Sequence, residues 1–328
     1  MKIHVMNNQD PKNMTSAAFV ENKMGNKNLS EKPLTEYYSI NGIDWYVYRR
    51  MLMPIPGPDR QLDIEIDKIR KVVFKHNLIG AAWTYDWDCK PTPWYWIVCD
   101  DKEYDMSKLK SFDRRDIRRG LKRTEVRQCS MDWIAEHGYE VYQKAFDRYK
   151  FTQPKDYAGF YQDLFKLADV AQPEGWCVFH KGELIAWLSV YIKGNAAFAD
   201  DLKFDPAFRS VYPTNAVFYV ITQHYLLERK CDYITAGARN VNHHTGVQDF
   251  LVGNMGWRKV YTRLALWLRP EVRLPLIMGA GKLSNWMKNA NLFTSISRTV
   301  NTAYLLWQIA QACKNREFPE HLKGNLGT

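Results

Sequence analysis

Long apolar runs are missing from these 328 residues: nowhere do 18 uncharged apolar side chains follow one another, so no membrane-spanning helix is expected. The first 33 residues carry charges and six Asn by position 28 but no apolar stretch, which argues against a secretory signal peptide. Paired cysteine spacing is also missing. The six cysteines, Cys89, Cys99, Cys129, Cys177, Cys231 and Cys313, are scattered, with no C-x-x-C and none placed beside histidines. That pattern excludes a disulfide framework and a structural zinc site, and it places the chain in a reducing, cytoplasmic compartment with no metal.

What is present suits a globular enzyme of two lobes. A hydrophobic content of 46% over this length buries a sizeable core, and 12 Trp with 19 Tyr supply amphipathic surface for clefts. The net charge of +10 is concentrated. Between Lys108 and Arg127 stand nine basic residues and three acidic ones. At about 100° per residue, Arg114, Arg115, Arg118, Arg119, Lys122 and Arg123 cover one half of a helical wheel, with Ile117 and Leu121 opposite. A helix with one buried edge and one cationic face follows, suited to phosphates of a nucleotide, a tRNA, an anionic glycan carrier or a membrane surface, or else simply solvated.

Along the chain, residues 1–36 read as a flexible arm, being Asn- and Lys-rich without periodicity. Residues 37–150 form a first lobe that opens on one hairpin, EYYSINGIDWYVYRRMLMPI, turned at Asn41-Gly42. A helix LDIEIDKIRKVVFKHN, two strands, the basic helix and SMDWIAEHGYEVYQKAFDRYKF complete it. Residues 151–270 form a second lobe. There WCVFH, ELIAWLSVYI and AAFADDLKF read as strands joined at Lys181-Gly182 and Lys193-Gly194-Asn195. The loop FDPAFRSVYP then leads into a helix from Thr214 to Lys230, with Thr214 as its N-cap and His224 on its apolar face. The strand CDYITAG, the polar loop RNVNHHTG and the helix VQDFLVGNMGW follow. Residues 271–328 read as a helical extension: either a pair of core helices or an interfacial segment carrying Trp286, Phe293 and Trp307.

WYWIVCD, SFDRRDIRRGLKR, a helix ending KAFDRYK, WCVFHKGELIAWLSVYIKGNAAFADD, PTNAVFYVITQHYLLERK and GVQDFLVGNMGWRK, in that order, resemble the FemAB-like branch of the GCN5-related N-acetyltransferase (GNAT) superfamily. The resemblance covers about Tyr37 to Leu268. It implies an α+β fold with a mixed sheet, built as two tandem acyl-CoA N-acyltransferase (GNAT)-like lobes of which the first is degenerate. It also implies acyl-CoA as co-substrate with no permanently bound cofactor, or, in the peptidoglycan-bridge members, aminoacyl-tRNA. Two departures stand out. Where such proteins place a Q/R-x-x-G-x-G/A loop, this chain has Arg209-Ser210-Val211-Tyr212-Pro213-Thr214, and where the tRNA-dependent enzymes have F-K-x-x-F/W-G it has Phe250-Leu251-Val252-Gly253.

The activity implied is transfer of an acyl group from an activated donor to an amine, in an amino sugar or a cell-envelope or polysaccharide precursor. The alternatives are Fem-type aminoacyl transfer and a catalytically silent protein that binds an anionic partner. The amine must lose a proton before attack, so a carboxylate or histidine is needed nearby. Asp200 and Asp201 end a strand, and alternation sends them to opposite faces, which leaves one free to enter the cleft; Asp200 is the candidate base and Asp201 a substrate contact. Tyr261 is the candidate acid for the leaving group. The loop at the carboxyl end of CDYITAG supplies His243 as an alternative base, with Arg239, Asn240 and His244 as substrate contacts. Arg209, Thr214 and Asn215 at the helix start are the candidate donor-phosphate site. The basic helix suggests an anionic partner, and with it either a cytoplasmic location or a peripheral one at the inner face of the membrane.

Overall fold

The computed structural model describes residues 36–147, 153–169, 171–241, 246–276 and 295–315, with side chains omitted for 295–301 and 315. The described residues form two compact units, one from Glu36–Ile97, Ala238–Gln248 and the described residues from Lys259 onward, the other from Val98–Gly237 and Asp249–Arg258. This division differs from sequence boundaries at 150 and 270. Each unit is assembled from separated stretches of chain, so the basic helix falls in the same unit as Asp200 and Thr214.

In the first unit, β1 (Tyr37–Ile40) and β2 (Ile43–Tyr48) form the expected hairpin, with Asn41 and Gly42 at φ 56° and 72°. The chain then reverses a second time, at Arg49-Arg50, into β3 (Met51–Pro54), where a single longer strand was expected. Helix α1 (Ile66–Lys75) carries the chain to β4 (Gly80–Tyr85), parallel to β3, and β11 (Arg258–Leu268) runs antiparallel to β4. Ile69 and Val73, four apart and so on one face of α1, are fully buried with Trp45, Leu52 and Ala81. A second cluster joins Ala82, Trp94 and Leu264 to Ile309, Ala310 and Cys313, residues that lie in the long C-terminal helix Ser295–Asn315. Trp307 lies in that helix, whereas Trp286 and Phe293 lie outside the described residues. Strand β5 (Trp94–Cys99) leads the chain into the second unit.

The second unit is built on β6 (Glu125–Cys129), β7 (Gln172–His180), β8 (Glu183–Lys193), β9 (Ala196–Phe204) and β10 (Tyr233–Ala238). Neighbours are antiparallel except β9 and β10, which are parallel. One face is covered by α3 (Met131–His137), α4 (Tyr139–Ala145) and α5 (Tyr157–Leu164), whose aromatic residues pack with Trp187 and Phe179. Burial of each such side chain contributes roughly 1.5–3 kcal/mol. The other face receives α6 (Pro213–Gln223), buried along nearly its whole length, and α2 (Ser111–Arg123) packs on α6. The mixed α+β architecture is the one expected.

Candidate active site

Strand β9, helix α6 and strand β10 form a parallel β-α-β unit. In such a unit the helix N-terminus lies beside the carboxyl end of the first strand. Only three residue pairs join the parallel strands, Ala196–Tyr233, Ala197–Ile234 and Phe198–Thr235. Beyond them β9 continues to Phe204 and β10 to Ala238 with no register between them, so the strands splay toward the α6 N-terminus. On the β10 side, Gly237 has φ 82°, donates its N–H to Thr235 Oγ1 at 3.1 Å, and would give an added Cβ nothing to touch within 4 Å. The wedge is therefore lined by strand backbone and open above a residue that needs no side chain.

The helix starts one residue earlier than expected, and Thr214 is not its N-cap. Tyr212 holds that position in a left-handed conformation (φ 60°, ψ 47°) with no side-chain cap, and Pro213 occupies the first turn. The first helical bond runs from Ala216 N–H to Tyr212 O at 3.2 Å. Thr214 and Asn215 thus present N–H groups that have no acceptor one turn back, the polarity that receives an anion. Tyr212 adopts the backbone geometry that the absent glycine would supply, at a cost of about 1–2 kcal/mol.

Against this helix start lies the basic helix α2, and Gly120 permits the approach. A Cβ at Gly120 would stand 2.7 Å from Tyr212 O and 3.2 Å from Ala216 Cβ. Arg123 Nη1 donates to Ser210 O at 2.9 Å, and Arg119 Nη1 lies 3.5 Å from the Tyr212 hydroxyl. Arg209, in the short 3-10 turn Pro206–Val211, is exposed beside them. Ile117 is fully buried, so the helix has the buried edge and cationic face expected of it. Its span is shorter, because Glu125–Cys129 pairs with β7 as a strand.

On the opposite face of the sheet the alternation expected for Asp200 and Asp201 fails. The β8–β9 ladder pairs Ser189 with Asp201 and Val190 with Ala199, leaving Asp200 as an extra residue in a bulge. Both carboxylates then find partners on the side covered by α4 and α5. Lys166, just after α5, meets Asp200 at 2.8 Å, and Asp201 pairs with Lys203, whose ammonium lies 5.8 Å from the Tyr142 ring centre. Asp200 is accordingly an ion-paired carboxylate. Burial alone would lower the Lys166 ammonium, but the charge and hydrogen bond of Asp200 override it and hold it above the usual lysine range. Lys193 shares this corner, 4.9 Å over the Phe198 ring. There burial pushes its ammonium down to about 8, with Asp200 opposing and Lys166 reinforcing the shift. Neither lysine stands out in the sequence: Lys193 opens the turn Lys193-Gly194-Asn195, although its place two residues beyond Tyr191 on β8 puts both on one face.

The remaining candidates belong to the other unit. Arg239 is buried rather than free to clamp a ligand: its Nη1 donates to Pro93 O at 2.8 Å and its backbone N–H to Tyr95 O at 2.8 Å. Asn240 N–H reaches Gln248 Oε1 at 3.4 Å, and Gln248 Nε2 donates to Ala238 O at 2.9 Å. Tyr261 is half-buried on β11, edge-on to Tyr95 at 6.0 Å, as a packed strand tyrosine would be. His243 and His244 lie outside the described residues. His224, expected on an apolar face, stacks edge-on against Trp176 at 5.1 Å and bonds through Nδ1 to Glu228 at 2.7 Å.

No protein-family model matches the sequence, and no curated protein matches it either. Solved structures do. FemX superposes with a TM-score of 0.51 over 82% of this chain and 94% of its own, at 8% identity. The C-terminal domain of a putative lysylphosphatidylglycerol synthetase from Agrobacterium fabrum gives 0.48 over 74% and 86%, at 12% identity, and L-PGS from Bacillus licheniformis gives 0.48 over 84% and 96%, at 13%. Across nearly the whole of FemX the course of the chain is shared, so this protein has the FemX fold, in agreement with its resemblance to the FemAB-like branch of the GNAT superfamily.

Proposed function

We propose that this protein is an N-acyltransferase of the FemAB-like kind, which moves an acyl group from an activated donor, acyl-CoA, to an amine on an amino sugar or cell-envelope precursor. The observation that supports it most is the splay of β9 and β10 beside an uncapped helix N-terminus flanked by the cations of α2. The donor's phosphates sit at the N–H groups of Thr214 and Asn215, with Arg209, Arg119 and Arg123 neutralising charge. Its acyl arm extends into the wedge, where strand backbone N–H groups receive the carbonyl oxygen as it gains charge. The amine arrives from the face that carries Asp200. Its nitrogen forms the new C–N bond as the C–S bond of the thioester breaks, and its proton passes by way of the Asp200–Lys193 corner to the departing thiolate. Burial lowers the Lys193 ammonium to about 8, so it exchanges a proton at lower pH than an ordinary lysine and can relay one at this corner.

A second reading is favoured by the length of the cationic face. Arg115, Arg118 and Lys122 extend it beyond what one pyrophosphate needs, which suits an aminoacyl-tRNA donor. Intact-mass analysis of amine acceptors, incubated with purified protein and either an acyl-CoA panel or charged tRNA, separates the two. Asp200→Asn and Lys193→Met are each expected to lower the turnover rate at least tenfold with donor affinity unchanged. No transfer from either donor class would refute the enzymatic reading.

A further inference from the structure

The turn at Arg49-Arg50 is chemically out of place. Both residues adopt left-handed backbone (φ 50° and 62°) in a two-residue hairpin between Tyr48 and Met51, a geometry that selects Asn-Gly. The neighbouring turn at Asn41-Gly42 has that preferred sequence. Two β-unbranched but bulky cations held at positive φ on an exposed tip mark a position whose side chains matter more than its turn propensity.

These arginines belong to a continuous surface. Arg50 Nη2 donates to Asn77 O at 2.8 Å, and Arg269 Nη1 to Asn77 Oδ1 at 2.9 Å, so Asn77 after α1 joins the hairpin tip to the end of β11. Arg269 lies 4.9 Å over Phe74, Phe74 packs edge-on to Trp267 at 6.0 Å, and Arg70 lies 5.7 Å over Trp267. Helix α7 (Pro270–Pro275) follows directly and presents Arg273 and Leu274. Phe74, Leu274 and Tyr48 are exposed to 48%, 56% and 46%, three of the five large apolar side chains most open to solvent among the described residues. The elements that build this surface carry seven cations (Arg49, Arg50, Arg70, Lys71, Lys75, Arg269 and Arg273) against three acids: Asp67, Glu271 and the exposed Glu36, whose carbonyl accepts from Val47 N–H at 2.9 Å.

We infer that this surface docks on an anionic lipid bilayer, with Phe74 and Leu274 entering the headgroup boundary and the arginines and lysines at the phosphates. Apolar tips ringed by cations are what an interfacial site requires. A nucleic acid fits less well. Leu274 offers nothing to a base, and the rings of Tyr48, Phe74 and Trp267 each already carry a guanidinium, that of Arg49 over Tyr48 standing at 5.3 Å. No helix among the described residues is long and apolar enough to cross a membrane.

The test uses co-sedimentation of the full chain with vesicles of phosphatidylcholine alone or with 30% phosphatidylglycerol. Binding is expected only to the anionic vesicles, weakening as salt rises. The double variant Arg49→Asn/Arg50→Gly removes two cations while installing the favoured turn. It is expected to lose roughly tenfold or more in vesicle partition while unfolding at a higher urea concentration, a combination that a merely structural role for the arginines cannot produce. Phe74→Ser should weaken partition further. Equal binding of wild type and the double variant, no binding to anionic vesicles at low salt, or capture of RNA by this face in preference to vesicles would overturn the inference.

Discussion

Replacement of Gly120 by alanine tests how α2 is held against α6. In an isolated helix this change stabilises by about 1 kcal/mol, because glycine loses more backbone freedom than alanine. Here the new methyl would stand 2.7 Å from Tyr212 O, 3.2 Å from Ala216 Cβ and 3.4 Å from Ala216 N. None of these neighbours is the movable end of a long side chain, so the helices themselves must part. Overpacking of this kind costs typically 1–3 kcal/mol, which outweighs the propensity gain and leaves a net loss of about 1 kcal/mol. The displacement also draws Arg119 and Arg123 away from the helix N-terminus. Hydrogen exchange read by mass spectrometry should show faster exchange across Ser111–Arg123, and calorimetric titration with coenzyme A should show weaker binding. Slower exchange in that helix with unchanged affinity would refute the reasoning, since propensity alone would then be setting the outcome.

Lys193 gives a prediction in pH. Its folded pKa is depressed, so between about 8 and its ordinary value of 10.5 the unfolded chain binds the proton that the folded chain has released, and stability rises with pH across that window. Lys193→Met should flatten this slope and stabilise the protein at pH 7, by at most about 3 kcal/mol, in urea titrations run from pH 7 to 10. Glu174 anchors a buried cluster, accepting from Tyr225 Oη at 2.7 Å, Arg229 Nη1 at 2.8 Å and Gln128 Nε2 at 3.2 Å, while Trp176 Nε1 donates to the Tyr225 hydroxyl at 2.9 Å. Glu174→Leu leaves the buried Tyr225 hydroxyl without its acceptor, while Arg229, 39% exposed, turns to water; the change should lower the stability by about 1–3 kcal/mol, seen as an earlier urea transition. An unshifted transition would mean that water replaces the carboxylate there.

Local chemistry was legible where it acts over a few residues. Asn-Gly at 41–42 announces a left-handed turn because few other pairs tolerate it, and the spacing of Ile117 within a run of cations announces a helix with one buried edge. Strand, loop, helix, strand over 196–238 likewise follows from short-range pattern, and with it the parallel unit that carries the candidate site. Other features have no local signature. Arg-Arg signals no turn, and the reversal at 49–50 exists because β3 must pair with both β2 and β4. The bulge at Asp200 depends on the register of β8, and it turns a presumed free base into an ion pair with a lysine 34 positions away in sequence (200 − 166). Arg239, polar and in a polar loop, is drawn inward by a carbonyl at Pro93. Propensity and periodicity thus determined most helices and strands, though not the strand Glu125–Cys129 or the reversal into β3, and where positive charge collects along the sequence. Which charges are paired, which helix end stands open and which cations share a surface were decided by contacts between residues distant in sequence, where Coulomb and packing energies depend on separations that only the folded chain defines.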